Sequence, residues 1–300
     1  MRTIFLSLIF LGMSSFGFSQ NSFFVNSDSI SKRRVIGTSV GIGTFWSGSM
    51  IGLSQVWYSQ VEKSPWHSFD DSKNWLQMDK AGHFYISHKI TQFCRDKYVW
   101  AGLDNKTSTW IGAGISVGYQ TTFEFLDAYS KEWGFSWSDV AANTLGTISY
   151  TAQSLIWEEE RIIPKFSYSP TPYAAIRPEV LGSSFAESIM KDYNGQTYWL
   201  SFSPGTFFKD SKIPKWACIS IGYSADAKIR GAENIYTDPN TNKVFEAKRE
   251  FLLSLDIDFS KFNIKRPWLR ALVKQFNYLK VPFPALILRG NRLTGSLLYF

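Results

Sequence analysis

Only two cysteines, Cys94 and Cys218, occur in 300 residues. They are too few for a disulfide framework and show no metal-ligand spacing. A single disulfide in an exported chain and two buried free thiols are the two arrangements left open. The phosphate-cradling glycine loop, the nucleophile elbow and the H-E-x-x-H pair are all missing, which removes the commonest nucleotide, serine-hydrolase and zinc-protease signatures. No nucleic-acid motif is present either. The formal charge of +7 and pI near 9.2 come from scattered basic residues, a pattern better suited to a protein beside anionic lipid than to a nucleic-acid binder. Charge itself is absent over three long stretches: between Arg34 and Glu62, from Thr107 to Phe123, and from Val140 to Trp157.

What the chain has in excess is aromatic side chains, 17% of all residues with 12 Trp, a composition common where proteins meet a membrane interface. Its N-terminus reads as an address. Arg2 supplies a positive start, Thr3 to Met13 is an apolar run of signal-peptide length, and Gly17 and Ser19 form the small-x-small pattern that signal peptidase accepts. Residues 1–19 are therefore expected to be a signal peptide, cleaved near Ser19 or Gln20. No cysteine follows the apolar run, so an N-terminal lipid anchor is not expected.

The first uncharged stretch carries Gly37, Gly41, Gly48 and Gly52 at helical spacing. Small residues four apart let helix backbones approach closely inside a bilayer. Gly114 with Gly118, and Ala142 with Gly146, repeat the theme in the other two stretches. The expectation is an α+β protein. A helical, partly membrane-embedded core of four to six helices spans 35–165, and a linker with one short helix within Gly182–Lys191 spans 166–196. A β-rich C-terminal region of small antiparallel structure spans 197–300. A soluble bundle with apolar central helices is the competing arrangement. In the β-rich part, Phe251, Leu253, Leu255, Ile257 and Phe259 alternate with Leu252, Ser254, Asp256 and Asp258, the period of a strand. Ala217 to Tyr223 repeats the period, and Asp238–Lys243 reads as a hairpin turn. Four to six strands fall short of the eight that a bacterial barrel needs, so a small sheet packed on helices is expected.

Three helical segments each carry a polar pair one turn apart: Asp79 and His83, Glu124 and Asp127, Asp139 and Asn143. Residues three or four apart share a helix face, and apolar or small neighbours point these faces inward, where ionisable groups need partners or a function. Three arrangements compete. His83 acts as a base or nucleophile oriented by Asp79, Glu124 or Asp139. His83 with Glu124, Asp127 or Asp139 holds a metal. Or the six groups, with Asp127 and Asn143 in purely structural places, form a network that fixes helix packing. His88 is turned well away from His83 by the helical pitch, and His67 sits in a polar loop without a role. Ser136 or Ser138 is positioned to cap the helix that carries Asp139. Glu158 to Arg161 reads as a solvated charged face.

The run D-K-A-G-H-F (79–84), Glu124 and S-x-x-D-x-x-x-N-x-x-G (136–146) resembles the domain-of-unknown-function family of predicted periplasmic lipoproteins, number 2279. Ser169–Tyr173, 177–183 and 191–201 resemble that family as well. More distantly the run is similar to the VanZ-like membrane proteins, which share an Asp-Lys-x-x-His-Phe, Glu, Asp and Asn order. The basic residue that VanZ-like proteins place before the Ser-x-x-Asp run has no counterpart, since Glu132–Phe135 stands there. The resemblance implies an exported envelope protein and carries no established activity. The aromatic β-region and terminal Phe300 favour the outer membrane, with the periplasmic face of a membrane as the other place; membrane lipid and other envelope proteins are the expected partners, and no cofactor is expected. The expected function is a structural or assembly role in the cell envelope, with an envelope enzyme acting on a lipid or lipid-linked substrate as the alternative.

Overall fold

The computed structural model describes residues 23–56, 61–208 and 210–300; the expected signal peptide lies outside them. Four long helices open the fold: α1 (Lys32–Val56), α2 (Met78–Trp100), α3 (Asn105–Asp127) and α4 (Trp137–Ile156). Asp104 caps α3 by accepting the Thr107 N–H, and Ser136 caps α4 by accepting the Asp139 N–H. Each side chain satisfies one of the donors that a helix start leaves unpaired.

Helices α2, α3 and α4 pack together through glycines, though not those of the first uncharged stretch. A Cβ placed on Gly112 would lie 2.6 Å from the Thr91 carbonyl oxygen, and one on Gly146 would collide with the Phe84 carbonyl. Around Gly37, Gly41, Gly48 and Gly52 of α1 nothing lies within 4 Å. The close helix approach expected there is made instead at Gly112 and Gly146. Helix α1 is tied down by Arg34 donating to the Trp100 carbonyl (2.9 Å), by Ser39 beside the Tyr98 hydroxyl (2.8 Å) and by Tyr119 donating to Ser49 (3.1 Å).

The polarity of this helical layer is reversed. Ser87, Thr91, Ser116, Gln120, Asn143 and Thr147 are buried along the seam, while Ile86, Phe93, Trp110, Leu145 and Ile148 are exposed. No helix of the described residues is long and apolar enough to cross a membrane, so the expected partly membrane-embedded helical core finds no support in its helices. The reason is chemical: the uncharged stretches are filled with Ser, Thr, Gly and Gln, which lack charge without being apolar. Those hydroxyls and amides bond to one another across the seam, as where Ser116 donates to the Ser87 carbonyl at 2.9 Å and Thr109 lies 2.8 Å from Ser154.

The rest of the chain builds β1 (Ile162–Tyr168), β2 (Gln196–Phe202), β3 (Ala217–Asp226), β6 (Lys248–Ile257), β7 (Phe283–Arg289) and β8 (Arg292–Tyr299), which form one antiparallel sheet in that order. A separate hairpin pairs β4 (Ile235–Thr237) with β5 (Val244–Glu246) across the Asp238–Lys243 turn. Four short helices lie among the strands: α5 (Pro178–Leu181), α6 (Phe185–Lys191), α7 (Pro204–Phe207) and α8 (Pro267–Lys274). The expected helical core holds four helices, within the four to six expected, and with the short ones there are eight α-helices among the described residues. Strand β1 carries no alternation in Ile162-Ile163-Pro164, so the helix–strand boundary was not visible in the sequence.

The sheet is rolled. Tyr299 on β8 stacks edge-on against Trp199 on β2 (5.8 Å between centroids) and its hydroxyl lies 3.0 Å from Thr197, although four strand steps separate β2 from β8. Lys165 on β1 likewise reaches Asp256 on β6 at 2.9 Å. The outer edge of β1 is covered by the segment leading into β7, where the Lys280 N–H donates to the Phe166 carbonyl (2.9 Å). Ser201, Ser220, Ser254 and Asp256 line the concave side with Trp199, and all are buried. Helix α2 covers only part of the convex side, along β1 and β2, where Tyr85 meets Phe166 and Tyr198. Cys94 and Cys218 are free and buried, on α2 and β3, and burial pushes both thiols up to about 12.

Gly146 and Gly114 make opposite predictions. Gly146→Ala forces α4 away from α2 and should cost about 1–3 kcal/mol, whereas Gly114, with nothing within 4 Å, should gain up to about 1 kcal/mol as Ala. Thermal unfolding of the two variants distinguishes these signs, and a stabilised Gly146→Ala would contradict the packing described.

Candidate functional site

The polar groups meet where α2, α3 and α4 face the start of the sheet. A left-handed turn just before α2 sets the geometry: Trp75, Leu76 and Gln77 all have positive φ (50°, 53° and 64°). Such conformations cost roughly 1–2 kcal/mol per residue outside glycine and persist only where surroundings hold them. Here Leu76 is buried, the Tyr223 hydroxyl donates to the Leu76 carbonyl, the Trp75 N–H donates to the Gly231 carbonyl (2.7 Å), and Arg249 donates to the Gln77 side chain (2.6 Å). The turn brings Asp71, in the preceding loop, over the first turn of α2.

At the centre is Lys80. Its Nζ lies 2.7 Å from a carboxylate oxygen of each of Asp71, Asp79 and Asp139. Burial by itself would favour the neutral amine, but Asp79 and Asp139 overcome it and hold the ammonium well above the usual lysine range. Burial also opposes the Asp71 carboxylate, yet hydrogen bonds from Lys80, Ser136 (2.6 Å) and Ser138 (2.7 Å) keep it below its usual range. Asp139 is pushed up to about 6 by burial first and then by Asp79, against the pull of His83 and Lys80.

His83 occupies the inner side. Its Nδ1 lies 3.1 Å from Asn143 Oδ1, which also accepts from Gln120 (2.7 Å) and Ser87 (2.9 Å). An oxygen that receives three donors assigns the proton of the neutral ring to Nδ1, leaving Nε2 facing Asp139 Oδ1 (3.5 Å) and Asp79 Oδ1 (3.7 Å). Glu124 approaches Nδ1 at 3.8 Å and is 1% exposed. Burial, with Asp139 and Asp127 adding like charge, raises its carboxyl to about 9, so it is neutral at pH 7. Its Oε1 has no hydrogen-bond partner among the described residues, and Oε2 accepts only a long bond from the Ser136 N–H (3.4 Å).

Five of the six residues singled out from the sequence, Asp79, His83, Glu124, Asp139 and Asn143, thus share one cluster. Asp127 stands one turn beyond Glu124 and acts on it through charge. Lys80, Asp71, Tyr193 and Gln120 were not singled out. Tyr193, in the loop before β2, donates to Asp79 Oδ1 at 3.1 Å and ties the cluster to the sheet. Lys80 supplies the cation of the cluster, and its position beside Asp79 was the available sign. Asp71 lies in a loop without periodicity and had none. Asp79, His83 and Asp139 place ligand atoms within 4.8 Å of one another, but the Lys80 ammonium already stands against both aspartates.

A second cluster corrects the reading of Glu158–Arg161 as solvated at Glu160, while Glu158 is exposed. The Glu160 side chain is only 10% exposed, packed against α2, and accepts from His88 Nε2 (2.8 Å), Lys89 (3.1 Å) and Gln92 (2.6 Å). Burial opposes its charge, yet Lys89 and His88 bring its carboxyl down to about 2, while burial lowers His88. His88 does point away from His83, as the helical pitch required. His67 makes a structural bond to the Trp133 carbonyl (2.7 Å).

The fold and cluster define an α+β protein of a helical layer and a rolled antiparallel sheet, joined by a buried ion network. A family model described as "Predicted periplasmic lipoprotein (DUF2279)" matches residues 66–154, which include every helical member of the cluster. The chain is a cell-envelope protein, with an exported, periplasmic or outer-membrane-associated location. No curated protein and no solved structure matches it.

Two variants test the electrostatics. Lys80→Met leaves three carboxylates facing each other and should cost about 3–5 kcal/mol near neutral pH. The loss should narrow as pH falls toward 6, because without the Lys80 ammonium Asp139 takes up its proton at higher pH than in the parent chain. For Glu124, a carboxyl raised from 4.5 to about 9 contributes stability that is complete below pH 4.5 and lost as pH rises through about 9. Glu124→Gln should therefore flatten the fall in stability between pH 5 and 8.5, measured by urea unfolding, and an unchanged slope would place the proton elsewhere.

Proposed function

We propose that this chain is a structural component of the envelope, serving assembly or integrity of the outer membrane, and that its polar cluster fixes the helical layer on the sheet. The observation that carries this reading is the enclosure of Lys80 by carboxylates from the loop before α2, from α2 itself and from α4. With Tyr193 bonded to Asp79, the cluster, Glu124 apart, spends its polar atoms on internal partners and links the helical layer to the sheet. Buried polar networks of this kind specify a unique packing even where they add little net stability. The distant similarity to VanZ-like membrane proteins belongs to this proposal too, as does the choice of the outer membrane.

A second reading is favoured by one feature. A neutral Glu124 beside a partly accessible His83, 21% exposed in its side chain, is an acid next to a base. An enzyme acting on a lipid or lipid-linked substrate would use His83 as base, with Asp79, Glu124 and Asp139 in support. The cluster holds no thiol and no serine positioned against His83 as a nucleophile among the described residues, which weighs against covalent catalysis.

Single Ala replacements of His83, Glu124 and Asp139, with His83→Asn added, separate the two. Under the structural reading, protein level and resistance to envelope stress fall together. Normal levels of His83→Asn with lost function would overturn it in favour of the enzyme.

A further inference from the structure

The sheet is inside out. Its concave side holds Ser201, Ser220, Ser254, Asp256 and Lys165, all buried, with Lys165 and Asp256 paired at 2.9 Å. Its convex side, beyond the part that α2 covers, presents exposed apolar residues in register. Leu200, Ile221, Leu253 and Leu286 stand directly opposite one another across β2, β3, β6 and β7, and Phe251 stands opposite Leu288 in the next row. A sheet facing water on its outer side alternates the other way. This alternation is that of a sheet whose outer solvent is hydrocarbon.

Charge selects the kind of hydrocarbon surface. From Phe259 to Phe300 there are eight basic residues and no acidic one, so these 42 residues hold more than the whole net charge of +7. Several are neutralised internally: Lys261 by Glu159, Lys274 by Asp96 and Arg289 by Glu250, while Lys280 is buried on backbone carbonyls. Lys265, Arg266 and Arg270 are exposed, with no carboxylate in ion-pair reach among the described residues. They flank α8, which exposes Trp268 and Leu272. This segment sits at the end of the sheet where β3 begins. There the Asp258 N–H donates to the Trp216 carbonyl (2.8 Å), and Trp216, itself exposed, meets Phe262 (6.2 Å). Tryptophan beside arginine that no carboxylate neutralises is the chemistry of the headgroup level. The apolar band from Phe251 to Leu255 spans five residues, or about 13 Å at strand rise. That matches one leaflet, roughly half of a ~30 Å hydrocarbon core.

We propose that the convex face of the rolled sheet inserts into a single leaflet of an anionic bilayer, with Trp216, Trp268, Arg266 and Arg270 at the phosphates. The proposal names the lipid partner of an envelope protein and is independent of what the Lys80 cluster does. A second copy of this chain would cover leucines equally well, but it offers nothing to a cationic rim of like charge.

The test uses the full chain, exported in a bacterial host, purified in mild detergent and diluted into vesicles of phosphatidylcholine with or without phosphatidylglycerol. Co-sedimentation should be strong only with the anionic lipid and should fall as salt rises. Leu253→Ser with Leu286→Ser, at exposed positions that leave folding intact by circular dichroism, should weaken it by about tenfold or more. Arg266→Glu with Arg270→Glu should abolish the preference for anionic vesicles. A dye on Leu286→Cys should shift to the blue on binding, while one on Glu246→Cys, on the separate β4–β5 hairpin, should not. Binding that ignores both pairs of substitutions would overturn the proposal, as would a stable dimer without vesicle binding. Ala variants of the Lys80 cluster that fold should bind vesicles normally, so loss of the structural reading would leave this result standing.

Discussion

The ammonium of Lys80 inside three carboxylates is the interaction on which the arrangement of layers depends. Each carboxylate arrives from a different place: Asp71 through a left-handed turn, Asp79 one residue away on α2, and Asp139 from the capped start of α4. A charge removed from water is costly unless it is paired and hydrogen-bonded. The three segments are therefore held wherever they can reach the same nitrogen. His83, Asn143 and Gln120 extend the same bonding inward to α3, and Tyr193 carries it to the sheet.

The same constraint runs through the whole molecule at lower charge. Helix seams are filled by Ser, Thr, Asn and Gln that bond to one another, and the hollow of the sheet is filled by serines around the Lys165–Asp256 pair. Hydrophobic burial is confined to small groups of residues, such as Trp199 with Leu252 and Ile287, and Leu181 with Ile229 and Phe245. Directional bonds rather than apolar contact decide which seams match, because an unpaired polar group at any of them would cost about 1–3 kcal/mol. Many large apolar side chains are left on the outside as a consequence.

Some of this was open to inspection in the one-dimensional order of residues. The pairs Asp79–His83 and Asp139–Asn143 share a face because of helical pitch alone, and Ser136 is a cap because a short hydroxyl residue three before Asp139 has that geometry available. The alternation around Phe251 to Ile257 identifies a strand for the same local reason. Other features were closed to it. Whether Glu160 is solvated or buried depends on the distant face of α2, where His88, Lys89 and Gln92 wait for it. Gly37 to Gly52 and Ala142 with Gly146 look alike as patterns, but of these glycines only Gly146 meets another backbone.

By itself the sequence determined where periodicity changes and which residues share a helix face. All of these are properties of neighbours along the chain. The tertiary structure alone decided that Lys80 is the hub, that Asp71 and Tyr193 join it, and that the alternating strands turn their leucines outward. A period of two states that a strand has two unlike faces but not which of them is covered. That choice is made by residues far apart in sequence, Lys165 and Asp256 among them, whose charges can be satisfied only on the inner side of the roll.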